Sequence, residues 1–172
     1  MELKRWQLFS VLGLIVAGVV SRFLPHGANF TPILGLAIFV GHMSRRNPLL
    51  LAFMAVLLVV SDLAIGFYDG ISLVYVSYAL AFGLGWLIQR RRVGSIVLSG
   101  LSTAVLFFFL SNLGVWLWSG MYEKSIAGIV QCYAMALPFF PSTVISTLGT
   151  LAVTFGVFAI SERVEARSAA RQ

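Results

Sequence analysis

The chain of 172 residues has a single cysteine, Cys132, so no disulfide can form within it, and no paired thiols or Cys/His spacings of a metal site occur. Charge is almost as scarce. Asp, Glu, Lys and Arg make up 10% of the residues, where a soluble domain carries about a quarter. The scarcity excludes a soluble fold, because too few charged groups remain to cover its surface. Short catalytic signatures are missing as well: there is no GxSxG, no HExxH and no phosphate-binding glycine loop, and the two histidines, His26 and His42, fall near opposite membrane faces. No cofactor is implied, and an enzyme is not expected. The net charge of +6 does not point to nucleic acid, which requires basic residues gathered on one polar face.

What the sequence does contain is apolar surface, 59% of its residues with a mean hydropathy of +0.95. Apolar segments fall at 6–24, 30–43, 49–67, 72–88, 94–118 and 142–160. They predict an all-α polytopic membrane protein, a bundle of six transmembrane helices forming one domain over residues 1–172, without internal repeats or flexible linkers. The opening "MELKRWQLFSVLGLIVAGVVS" has the cast of a signal peptide, yet its apolar stretch continues through Phe23 and Leu24 and has the length of a spanning helix. The final "SERVEARSAARQ" is the charged end of the last helix.

With the N-terminus in the cytoplasm, the inner side receives Lys4, Arg5, Arg45, Arg46, Arg90, Arg91, Arg92, Arg163, Arg167 and Arg171, and the outer side keeps Arg22 and Lys124. This is the asymmetry of the positive-inside rule, so both termini are expected to be cytoplasmic. The segment "SIAGIVQCYAMALPFF", residues 125–140, is expected to be a short extra helix between helices five and six, lying on or dipping into the outer face. As a seventh crossing it would export the arginine-rich tail. Helix two, from Asn29 to Met43, rises only about 22 Å, less than the hydrocarbon core, so its outer end stops inside the membrane. Irregular backbone at that depth is tolerated where protein buries it or a wet cavity adjoins it. The preceding "SRFLPHGANFTP", residues 21–32, is therefore expected to cap a cavity.

Polar residues inside the spans are few and crowd one leaflet. Asp62 is the only carboxylate within a span, costly in hydrocarbon without a partner, and Arg22 lies at similar depth. Their depths allow an ion pair, within a ligand site or as a tie between helices, but the sequence leaves open whether they pair. Tyr75 and Tyr78, three residues apart, share a helix face. His26, Asn29, Thr31, Asn112, Trp116, Gln131 and Tyr133 complete the outer layer, above inner halves that are almost purely aliphatic. A pore would need polar groups across the whole thickness, whereas an outward-facing pocket needs them at one end. Gly13, Ala17 and Ser21 form a separate small-residue stripe suited to a partner helix or to internal packing.

The runs "NFTPILGLAIFVG", "LLLAFMAVLLVVSDLAIGFYDG" and "VYVSYALAFGLGWLI", with the arginine loop between the first two, resemble the S components of energy-coupling factor vitamin transporters and a related uncharacterised bacterial membrane family. The resemblance implies six helices with cytoplasmic termini and a substrate enclosed near the outer face by the loops at 22–31 and 119–141. It also implies that helix one docks on a transmembrane coupling subunit through an alanine-xxx-alanine motif, matched here by Gly13 and Ala17, and that separate ATPase subunits drive transport.

The leading expectation is thus a membrane-embedded binding subunit for a vitamin-like small molecule. A second is a structural or assembly protein with a buried polar network. A third is an intramembrane enzyme using Asp62 with His26.

Overall fold

The computed structural model describes residues 3–25, 27 and 30–169. Helix α1, Arg5–Val20, runs on as a 3-10 turn through Ser21–Phe23. It is followed by α2 (Ile33–Ser44), α3 (Leu49–Ile65), α4 (Ile71–Leu87) and α5 (Val93–Trp118). A short α6 (Ile126–Ala136) then leads through a 3-10 turn, Leu137–Phe139, into α7 (Phe140–Ala169). Among the described residues there is no strand. This is the expected six-helix bundle with a short extra helix before the last.

Local chemistry sets several boundaries. Pro32 and Pro48 occupy the positions just before α2 and α3, where a missing N–H costs nothing. Helix α3 ends at Gly66, whose N–H still donates to Asp62 O at 2.8 Å while its φ of 108° turns the chain out of the helix. Gly70, with φ of 89°, then redirects it into α4. Both positions need conformations that side-chain-bearing residues rarely adopt, so the "GFYDG" loop is a glycine-bounded turn.

Helix α2 is the axis of the molecule. All twelve of its residues are buried, which matches an element apolar on every side. It spans about 18 Å and is walled by α1, α3, α4, α5 and α7. Its tightest neighbour is α4, which runs in the same direction. A methyl group at Gly41 would strike the Phe82 carbonyl, and one at Gly85 the Ile38 carbonyl, so the two backbones touch directly.

By length and apolarity three stretches are able to cross a membrane: Arg5–Phe23, Val93–Trp118 and Ile126–Ser168. Helices α3 and α4, with 17 residues each, and α2 are shorter. The Ile126–Ser168 stretch runs antiparallel to α5 through its 3-10 turn, and Phe108 of α5 meets both Tyr133 of α6 (ring centroids 5.7 Å apart) and Phe140 of α7 (5.2 Å). Helix α6 therefore lines the last turns of α5, and α7 lines the rest, with Leu148 and Leu151 beside Gly100. The extra helix dips along the bundle instead of making a separate crossing.

One end of the bundle is held by arginines. Glu162 of α7 accepts from Arg91 at 2.6 Å and Arg46 at 3.4 Å, and both guanidinium groups lie over the Phe158 ring. Arg45 donates to Trp86 O at 2.9 Å, and His42 Nδ1 bonds Ile88 O at 2.8 Å.

Candidate functional site

At the opposite end, three elements bring together residues far apart in the chain. The 3-10 turn after α1 places Arg22 against the last turns of α3. Its guanidinium donates through Nη1 to Ser61 Oγ and through Nη2 to Asp62 Oδ1. Ser61 passes its own proton to Leu58 O at 2.8 Å. From α4, Tyr75 donates its hydroxyl to Asp62 Oδ2 at 2.5 Å, so each carboxylate oxygen has a donor. Asp62 is buried and Arg22 nearly so, with side chains 3% and 15% exposed. The ion pair that the sequence left open is present, and it belongs to a larger network. Tyr78, 7% exposed, packs edge-on to Tyr75 at 6.0 Å.

One member of this network, Ser61, was not legible as a site residue, nor was the nearby Tyr68. Ser61 follows from adjacency, because a guanidinium gripping Asp62 sideways reaches the preceding hydroxyl. Tyr68 lies in the glycine-bounded loop between α3 and α4. Burial, followed by the negative charge of Asp62, holds its phenol above its ordinary pKa against the pull of Arg22. It thus stays a neutral phenol near the network.

The other expected residues lie elsewhere. Thr31 is half-buried just before α2, its Oγ1 facing the Ile33 N–H at 3.5 Å, the outer limit of a hydrogen bond. Asn112 donates back to Phe108 O of its own helix at 2.7 Å. Trp116 donates to Glu123 O at 2.9 Å and carries the Lys124 ammonium over its ring at 5.3 Å, pinning the loop between α5 and α6. Tyr133 donates to Phe109 O at 2.7 Å, and Gln131 is exposed. These four belong to the α5–α6 pair. None of their hydrogen bonds among the described residues reaches Arg22, Asp62 or Tyr75. His26 and Asn29 lie outside the described residues.

On the flank of α1, Gly13 and Ala17 are exposed and Ser21 is half-buried. Ala17 and Ser21 line a largely apolar groove of about 400 Å³ whose far wall includes Gly149 and Val153 of α7. Gly18, outside the stripe, faces inward onto Leu36. Among the described residues no group of three or more His, Cys, Asp or Glu side chains is placed to hold a metal ion.

A bundle of apolar helices with a buried charged network at one end and an arginine clamp at the other defines a polytopic helical membrane protein. The chain belongs to DUF6580, a family of unknown function, which it matches over residues 3–169. No curated protein and no solved structure matches it.

Proposed function

We propose that the protein is a membrane-embedded binding subunit for a small, vitamin-like molecule, opening toward the outer face at the Arg22 end of the bundle. The observation that carries this reading is the Arg22–Ser61–Asp62–Tyr75 network, a buried charged cluster among apolar helices at the end opposite the arginine clamp. A ligand with its own acid and donor groups would open the Arg22–Asp62 pair and take the place of each partner. The arginine distribution supports a bacterial inner-membrane protein with both termini in the cytoplasm. The uncovered Gly13, Ala17 and Ser21 face supports a helix of a coupling subunit as its neighbour, and the resemblance to S components adds separate ATPase subunits.

One observation favours the second reading, a structural protein without a ligand. The network is complete within the chain, each oxygen of Asp62 already bonded. The test is native mass spectrometry of gently extracted protein, compared with an Arg22→Gln/Asp62→Asn variant that keeps the shape but removes the charges. A small organic molecule carried by the wild type and lost from the folded variant supports binding. A wild type that carries none, and that no micronutrient in a broad panel stabilises against heat, overturns it.

A further inference from the structure

The arginine-rich end of the bundle holds a polar feature unrelated to the Arg22 network. The start of α1 and the end of α7 enclose a groove of about 600 Å³ lined by Lys4, Trp6, Ser10, Ser161, Glu165 and Ser168. Glu165 is only 9% exposed, and its Oε2, closed off from solvent, has no hydrogen-bond partner among the described residues. Such an orphan carboxylate oxygen costs stability unless something donates to it.

The surrounding hydroxyls narrow the chemistry of that donor. Ser10 gives its proton to Trp6 O at 2.9 Å, Ser161 to Phe158 O at 2.7 Å and Ser168 to Val164 O at 3.1 Å. With their protons committed to helix carbonyls, the three oxygens present only lone pairs to the groove. The groove is therefore an acceptor cluster with a carboxylate in it, matched by a group that carries several N–H donors and positive charge. Lys4 stands exposed among the lining residues and forms no ion pair with Glu165. Next to an acceptor cluster, that ammonium suits an anion tethered to the bound cation. Trp6, 71% exposed, is a residue type that favours the membrane interface, and Phe9, Val157, Ile160 and Val164 present an exposed apolar track along α1 and α7.

We propose that this groove binds the headgroup of an ethanolamine phospholipid. The Glu165 side chain turns its enclosed carboxylate toward the groove to accept from the primary ammonium, the serine oxygens accept beside it, the phosphate meets Lys4, and the acyl chains follow the track. A choline headgroup has no N–H to donate, and a glycerol headgroup adds no positive charge to set against Glu165. A serine headgroup brings a second carboxylate beside it.

The test is native mass spectrometry of the full chain released from vesicles of equal parts phosphatidylethanolamine, phosphatidylcholine, phosphatidylserine and phosphatidylglycerol. The wild type retains the ethanolamine lipid about fivefold over each of the others, an effect of the size one charge-assisted contact supplies. Glu165→Gln, nearly isosteric, removes this preference. Lys4→Gln lowers total phospholipid retention but keeps the ratio between ethanolamine and choline lipids. Equal retention of all four lipids by the wild type overturns the proposal. So does a preference that survives Glu165→Gln, or efficient crosslinking of Ser168→Cys in a Cys132→Ser background to a protein seated over the groove.

Discussion

At the residue scale the strongest commitment is the charge pair in an apolar layer. Removing one member leaves the other buried and uncompensated, the costliest way to damage such a pair. Asp62→Ala should therefore lower stability by about 3 kcal/mol, whereas Arg22→Ala/Asp62→Ala should lose less than the single variant despite deleting more. Thermal unfolding in detergent, followed by a thiol-reactive dye at Cys132, reads this directly, since that side chain is the single thiol and is 2% exposed. A double variant no more stable than Asp62→Ala would show that the two groups do not compensate each other. Tyr75→Phe deletes only the hydroxyl bonded to Asp62 and should cost about 1 kcal/mol in the same measurement.

At the element scale, the contact between α2 and α4 depends on glycines that let two backbones meet. Gly85→Ala would press a methyl onto Ile38 backbone and force the central helix away from its neighbour, with an expected loss of about 2 kcal/mol. Gly83→Ala, two residues earlier on the same helix, meets nothing within 4 Å and should be neutral or slightly stabilising, because alanine favours helix over glycine. Equal effects at the two positions would mean that the close approach contributes nothing. The α5–α6 pair follows a different logic. Asn112 turns back to its own helix, while Tyr133 Oη on Phe109 O, Cys132 Sγ on Asn112 O and the Tyr133 ring against Phe108 and Phe109 hold the 11-residue α6 to α5, and Trp116 on Glu123 O pins the loop before it.

At the scale of the whole molecule, the two ends differ in kind. One is clamped by Glu162 between Arg46 and Arg91, the other by Asp62 beneath Arg22 and Tyr75. If the arginine-rich end faces the cytoplasm, a membrane-impermeant thiol reagent should label Glu123→Cys in intact cells and Arg90→Cys only after permeabilisation, both in a Cys132→Ser background. Labelling of Arg90→Cys from outside would invert the proposed orientation and move the candidate pocket to the cytoplasmic side.

The helices, their order and the shared depth of Arg22 and Asp62 were legible from sequence because hydrocarbon restricts the options. Long apolar runs must become helices, and a lone carboxylate at membrane depth needs a cation at the same depth. Helix α2 was also legible as short. Its place as the fully enclosed axis was not, since that depends on Gly41 and Gly85 meeting a neighbouring backbone, and glycines have no side chain to announce their partner. The same limit hid the division of the polar layer. Depth along a helix can be counted, but direction around it and the choice between a neighbouring side chain and a carbonyl are decided only when the helices pack. Asn112 could therefore turn back to Phe108 while Asp62, at similar depth, reached across to Arg22 and Tyr75. Glu165 is the clearest case: it reads as one more charge in a polar tail, and only the approach of α1 encloses its carboxylate without a donor.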